Sequence, residues 1–125
     1  MPSFGTLKAD TLTHSTAGSL ATNFVVNGSA KAWRKYDTNG GTTNTESFNY
    51  SSITDNNTGD TTHTLTNAMN TTTYVVMHNT QAATFSGVEN GTPNTATAHR
   101  TQVYNSSVAL VDVDQNFVHV SGDLA

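Results

Sequence analysis

Turn sequences recur at short intervals along this chain of 125 residues. Most of them pair Asn or Ser with Gly, and Asn and Gly tolerate the positive φ angles that tight hairpin turns require. They are Asn27-Gly28, Asn39-Gly40-Gly41, the segment 55–60, Ser86-Gly87, Asn90-Gly91 and Ser121-Gly122. The runs between them have the length of strands, and strands at this spacing are typical of a sandwich or a barrel. The sequence therefore predicts a small antiparallel β-sandwich or barrel-like head.

The composition favours strands over helices and predicts a small core. Thr, Asn and Ser number 24, 14 and 11, whereas Leu, Ile, Val and Phe together number 23. Thr, Val, Tyr and Phe suit strands, while Thr and Asn are poor helix formers. A chain with so few large apolar residues gains stability by burying surface against copies of itself. We therefore expect a homo-oligomer, with a small monomeric sandwich as the alternative.

Eight segments are predicted to form strands, and the first 26 residues are predicted to form an extended arm. The segment 73–78 is apolar on both faces and predicts a central strand. The clearest hairpin runs from Phe48 to Leu65 around the turn 55–60. Residues 1–26 are too polar to form their own core, so we expect an N-terminal arm or anchor on a head of residues 27–125. The predicted strands are Leu20–Val26, Ala30–Tyr36, Glu46–Ile53, Thr61–Met69, Thr73–His78, His99–Tyr104, Ser107–Val113 and Asn116–Val120.

Charge and hydropathy exclude several kinds of partner. No apolar run approaches the length of about 18 residues that a membrane span needs, so we expect no membrane partner. Five basic residues stand against nine acidic ones, which disfavours broad binding to nucleic acid. Three of the basic residues, Lys31, Arg34 and Lys35, surround Trp33. We predict that these four residues form a contact surface toward another protein.

The sequence offers weak candidates for catalysis, and we expect no enzymatic activity and no cofactor. Glu46 and Glu89 could form a glycosidase pair, but both lie beside turn sequences and are better explained as solvated residues. The histidines lack the close pairs that grip a metal ion. One of His63, His78 or His119 on the axis of a trimer would appear three times and could bind a metal or an anion. A half-buried structural histidine is the simpler interpretation.

A calcium site is the other candidate. The segment 55–60 begins like a calcium loop, but Gly59 stands where a third ligand is needed and no Glu follows at the twelfth position. A hairpin turn explains it better. The pair Asp112 and Asp114 is too short to specify an ion, because hard cations take six to eight oxygen ligands.

Two segments of the chain carry a resemblance to a known family. Residues 27–33 (NGSAKAW) and 47–60 (SFNYSSITDNNTGD) resemble a module found in tailed phages of marine bacteria. Residues 61–69, 74–76 and 100–122 also resemble the later strands of that module, so the likeness spans about residues 27–122. The chain departs from the module at 34–36, where Arg-Lys-Tyr replaces a neutral segment. It departs again at Thr62-His63, where the module carries Tyr and an apolar residue.

The resemblance implies a virion structural protein without catalytic residues. Such modules are labelled tail fibres or fibre-like proteins, and they commonly form trimers with β-rich heads. We expect a homotrimer exposed on the virion surface, as a capsid decoration protein or a short fibre, with residues 1–26 docking on the major capsid protein, a tail or fibre protein, or a neighbouring subunit. The alternative is a tail-fibre adhesin that recognises a host-surface polysaccharide. The predicted core of the head consists of Trp33, Phe48, Tyr50, Leu65, Tyr74, Val76, Val111 and Val113.

Overall fold

The computed structural model describes residues 9–16, 18–81, 84–88, 91 and 94–125, which are mostly antiparallel β structure with one short helix. The fold class is therefore all-β, as predicted. The strands are β1 (Thr11–His14), β2 (Gly18–Ala21), β3 (Ala30–Asp37), β4 (Thr43–Phe48), β5 (Tyr50–Asn57), β6 (Asp60–Leu65), β7 (Val75–Thr80), β8 (Phe85–Val88), β9 (Ala98–Tyr104) and β10 (Asn116–Ser121), and the helix is α1 (Thr22–Gly28).

Eight of these strands form two four-stranded sheets. The first sheet has the order β4-β3-β10-β7 and the second has the order β5-β6-β9-β8, while β1 and β2 form a separate hairpin. The chain passes from one sheet to the other after β4, β6, β7 and β9, while the pairs β3–β4, β5–β6 and β8–β9 each stay within one sheet. The sheets pack face to face, which makes the head a sandwich of two separate sheets.

Asn49 is the corner at which the chain leaves the first sheet for the second. Its φ of 58° is in the left-handed region, which Asn tolerates better than most residues. The Asn49 side chain donates to the Lys31 carbonyl at 2.9 Å and accepts from the Asn67 backbone N–H at 2.8 Å. The single strand predicted over Glu46–Ile53 is therefore wrong, because Asn49 divides it into β4 and β5.

The region predicted as a strand over Leu20–Val26 is mostly helical. Only Leu20 and Ala21 belong to β2, and helix α1 follows at once. The Thr22 hydroxyl donates to the Ala9 carbonyl at 2.7 Å, which ties the start of the helix to the hairpin. The predicted boundary after residue 26 falls inside α1, and the part of the predicted arm before residue 9 lies outside the described residues.

Two further predicted strands differ from the structure. The segment 73–78 was expected to be central, but β7 lies at the edge of its sheet. The segment 107–113 is a loop that returns to β9 through a bridge between Leu110 and Tyr104. By contrast, the hairpin predicted around 55–60 is confirmed as β5 and β6, with Gly59 in its turn at a φ of 64°.

The core lies between the two sheets and contains part of the predicted set. Leu65 and Tyr74 are buried, and Tyr50 and Val76 pack against the buried cluster. Val111 and Val113 are half-buried in the loop before β10. The other buried apolar residues of this cluster are Ala32, Tyr36, Met69, Val118 and Val120.

Phe48 and Trp33 were wrongly predicted to be in the core. Phe48 is 54% exposed and Trp33 is 38% exposed. The two are direct cross-strand partners in β4 and β3, so they lie on the same side of the sheet. That side faces away from the second sheet, because the alternate residues Ala32, Arg34 and Tyr36 of β3 are the buried ones.

Candidate functional site

The outer face of the first sheet is apolar. This surface is called the outer face, and the corresponding surface of the second sheet is called the polar outer face. The outer face consists of Trp33, Phe48, Val75, Met77 and Phe117, all of which are exposed. A cross-strand row runs over all four strands, because Phe48 pairs with Trp33, Trp33 with His119, and His119 with Met77. Contiguous apolar patches of this kind mark interaction surfaces.

A groove of about 380 Å³ crosses this outer face between β3, β10 and β7. The rings of Trp33 and Phe117 line it together with Met77, Asn79 and His119. The ammonium group of Lys35 lies 5.8 Å from the centroid of the Phe117 ring, close enough for a cation–π interaction. The groove therefore offers flat apolar surface with polar groups at its margin, which suits a protein surface or a sugar ring.

Only part of the predicted contact surface is on this face. Trp33 is exposed and Lys35 is half-buried, but Lys31 and Arg34 are buried, so their assignment to a contact surface is wrong. The Lys31 ammonium donates to the Val26 carbonyl and to the Ser29 hydroxyl, and it thereby caps the end of α1. Arg34 points into the sandwich, because it alternates with the outward-facing Trp33 and Lys35.

The interior between the sheets holds a polar cluster, which we call the histidine cluster. Its centre is His63, which is fully buried and stacks on His99 with ring centroids 5.1 Å apart. The Arg34 guanidinium lies over the Tyr50 ring, 4.4 Å from its centroid, and donates to the Ser52 carbonyl at 2.8 Å. The remaining members are Tyr36, Thr61, His78 and Thr101, which are joined to one another or to His63 by hydrogen bonds.

The hydrogen bonds fix the proton on the His63 ring. Arg34 Nη1 lies 3.3 Å from His63 Nδ1, and a guanidinium can only donate, so Nδ1 accepts. His63 Nε2 then carries the proton and donates to the Thr101 hydroxyl at 2.9 Å. The imidazole is therefore held as a neutral tautomer between two sheets.

Burial keeps the whole cluster uncharged apart from Arg34. Burial lowers the pKa of His78 to about 4. The pKa of His99 is lowered to about 3 by burial together with the positive charge of Arg34. The pKa of His63 is lowered well below its ordinary value by burial and by the neighbouring His99 and Arg34. Burial also raises the pKa values of Tyr36 and Tyr50 above the ordinary phenol value.

The histidine cluster acts as an internal polar network. His63 is enclosed within one chain, so it is a structural histidine and not the candidate for a site on the axis of a trimer. His78 points inward from β7, and its Nε2 shares a hydrogen bond with the Tyr36 hydroxyl at 3.0 Å. His119 is on the outer face. Over the ranges that the structure describes, no three His, Cys, Asp or Glu side chains are placed to hold one metal ion.

The other acidic candidates have structural partners. Glu46 is exposed on β4, whereas Glu89 lies outside the described residues. The Asp112 carboxylate accepts from the Gly59 backbone N–H at 2.7 Å, and the Asp114 carboxylate accepts from the Asn39 side chain at 2.7 Å. Asp112 thus holds the turn 55–60, and Asp114 holds the turn at Asn39.

The outer face of the second sheet is polar and bonds to itself. Asp60 accepts from Arg100 Nε at 2.6 Å and from Gln102 at 2.9 Å, and Asn56 bonds to both Asp60 and Thr62. These hydrogen bonds satisfy the charged groups without a partner molecule. The two outer faces of the sandwich therefore differ: among the described residues, the exposed apolar side chains of the first sheet continue across all four strands, whereas on the second sheet the exposed Phe85 lies on the edge strand β8.

Sequence reasoning missed the roles of Phe48 and Met77 on the outer face and of His99 in the interior. The available signal was the two-sided apolar pattern of 73–78, which indicates a sheet covered on both faces. For the histidines no sequence signal exists, because His63 and His99 meet only through the pairing of β6 with β9.

No helix in the described part of the chain is long and apolar enough to cross a membrane. Comparison of the chain with models of protein families, with curated proteins and with solved structures finds no match.

Proposed function

We propose that this chain is a non-enzymatic structural protein of a bacteriophage particle, exposed on the virion surface as a capsid decoration protein or a short fibre module. It forms homotrimers and docks through residues 1–26 on another virion protein or on a neighbouring subunit. The apolar outer face, with Trp33 and Met77 uncovered beside Phe48, is the observation that carries the assembly part of this proposal. The phage assignment rests on the sequence resemblance over residues 27–122.

The difference between the two outer faces of the sandwich supports a role in assembly. One outer face satisfies its own polar groups, while the other exposes aromatic and aliphatic side chains that water solvates poorly. A patch of this composition on a small chain gains free energy when another surface covers it. The buried histidine cluster gives the head a specific interior, at whose centre His63 is fully enclosed.

Three measurements test the proposal. Light scattering at micromolar concentration should return a multiple of the chain mass of 13.2 kDa, and a mass near 13.2 kDa would contradict self-assembly. Antibodies against the purified head should label intact phage particles, and hundreds of copies per particle would indicate the capsid shell.

Deleting residues 2–22 should release the protein from particles while its strand content persists. Particles that contain none of the protein would contradict the virion assignment.

The groove favours one alternative, a tail-fibre adhesin for a host-surface polysaccharide. Exposed rings of Trp33 and Phe117 beside Asn79 and His119 suit stacking on a sugar with hydrogen bonds at its edge. In that case the purified protein should bind host polysaccharide, and Trp33→Ala should weaken binding at least tenfold. The control Thr54→Ala, on the polar outer face, should leave binding unchanged. If no binding occurs at high protein concentration, the adhesin function is wrong.

A further inference from the structure

We propose that the copies assemble head to tail, with the hairpin β1–β2 and helix α1 of one copy packed on the outer face of the next. The arm surface, as we call it, consists of Leu12, Leu20, Phe24, Val25 and Val26. This inference rests on the proposed function, since it names the partner that covers the outer face in the assembly. The partner is a second copy of this chain.

The arm surface is uncovered within one copy. Helix α1 has seven residues, none of which is buried, and no side chain caps its first turn. Isolated helices of this length are unstable in water, and helices in proteins gain most of their stability from packing. Bonds from Thr22 and Lys31 hold its two ends, but Phe24 is 65% exposed. No apolar surface among the described residues buries this helix, so packing on another surface would stabilise it.

The hairpin presents apolar side chains in the same way. Leu12 and Leu20 are direct cross-strand partners, so they lie on one side of the β1–β2 hairpin, and both are exposed. A two-stranded hairpin alone is marginally stable at best, and it normally packs against another element. The hairpin and the helix are joined through the Thr22 backbone N–H, which donates to the Asp10 carbonyl at 2.9 Å.

Among the described residues, the outer face matches the arm surface in exposed apolar area. From the exposed fractions and the usual areas of such side chains, each surface presents on the order of 400 Å² of apolar area. A standard interface buries about 800 Å² per partner with a nonpolar share near 60%. One arm on one outer face, with its polar rim, therefore meets the requirement of a stable contact.

The charges of the two surfaces are also compatible. Between residues 9 and 29 Asp10 is the only charged residue, and the outer face carries Lys35 with its exposed cross-strand partner Glu46, whose charges offset each other. A face-to-face pairing of two outer faces would leave both arms uncovered. The head-to-tail arrangement covers both surfaces with one kind of contact, and such heterologous contacts close into rings, of which a trimer is the smallest.

Complementation between two variants tests this arrangement. Phe24→Asp alters only the arm surface and Met77→Asp alters only the outer face, and both side chains are more than half exposed. Each variant alone should be a monomer by light scattering. Mixed in equal amounts they should form a dimer of about 26 kDa, twice 13.2 kDa, because one intact arm still meets one intact face. The control Thr54→Asp, on the polar outer face, should assemble like the unchanged protein.

The outcomes separate this inference from the proposed function. Failure of the unchanged protein to assemble contradicts both. If it assembles but Phe24→Asp still forms the full oligomer, the arm is not part of the contact and the inference is wrong. A mixture that stays monomeric also overturns it. Circular dichroism checks that each variant keeps its strands, and Phe24→Ser and Met77→Thr provide milder replacements should an aspartate unfold the chain.

Discussion

The imidazole rings of His63 and His99 stack in the closed interior of the sandwich, with their centroids 5.1 Å apart and their planes inclined by 24°. They come from adjacent strands, since His63 on β6 pairs in register with His99 on β9. Arg34 enters the same space from the opposite sheet and reaches His63 Nδ1 at 3.3 Å. A permanent cation and two imidazoles therefore share one buried space, which is stable only while the imidazoles are neutral.

We expect acid to destabilise the head well before its carboxylates titrate. Because the pKa values of His78 and His99 fall from 6.5 to about 4 and about 3 on folding, the unfolded chain binds more protons below about pH 6.5. Stability is complete above that pH and is lost as the pH falls toward 4. Each of the two histidines can remove about 1.4 kcal/mol per pH unit in this window. Urea denaturation between about pH 7 and pH 4 measures the slope.

The variant His99→Phe should reduce the change of stability with pH by the contribution of about one histidine. The matched control Tyr50→Phe should retain the full pH dependence, because a phenol does not titrate in this range. Tyr50→Phe removes only the hydroxyl that lies 3.3 Å from His99 Nε2. A stability that is flat from pH 7 to pH 4 in the unchanged protein would contradict the neutral cluster.

Asn49→Ala should destabilise the head by about 2–3 kcal/mol. The change removes the side-chain bonds to Lys31 and Asn67 and puts alanine at a φ of 58°. Asn49→Gly loses the same bonds but accepts the φ angle, so it should cost about 1 kcal/mol less than alanine. Denaturation midpoints of the two variants measure the difference. Equal losses would mean that the left-handed backbone does not contribute.

Gly59→Ala should be far more damaging than Gly40→Ala. A Cβ at Gly59 would lie 2.6 Å from the Val111 backbone nitrogen and 2.8 Å from the Val103 carbonyl oxygen, whereas a Cβ at Gly40 meets nothing within 4 Å. Both glycines have positive φ, 64° and 77°, so strain alone costs each variant about 1–2 kcal/mol. The extra loss in Gly59→Ala, measured by thermal unfolding, reports the close approach of the hairpin to the loop 105–115. Similar melting temperatures would contradict that packing.

Asp60→Asn should cost about 1–3 kcal/mol, because it removes charge-assisted bonds to Arg100. Burial raises the pKa of Asp60, but hydrogen bonds from Arg100, Gln102 and Asn56 outweigh burial and lower it below 3.8. The carboxylate therefore stabilises the fold above about pH 3.8, and that contribution disappears as the pH falls further. Asp55→Asn, at an exposed position of the same hairpin, should change stability by less than about 0.5 kcal/mol. Equal effects of the two changes in urea would contradict the role of the ion pair.

The sequence by itself determined the all-β class and the hairpin around 55–60. Alternation tells which residues share one side of a strand, because successive side chains point to opposite faces. It does not tell which side is covered. That depends on strand order, which placed β7 at an edge and put Trp33, Phe48 and Met77 on the same uncovered face.

Only the tertiary structure decided the turn at Asn49, the burial of Arg34 and the meeting of His63 with His99. Each depends on contacts between segments far apart in the sequence: Asn49 bonds to Lys31 and Asn67, and Arg34 reaches across the sandwich to His63. Local patterns hold no information on such pairs. The free energy that selects them arises only when the two sheets close on each other and exclude water from the polar groups between them.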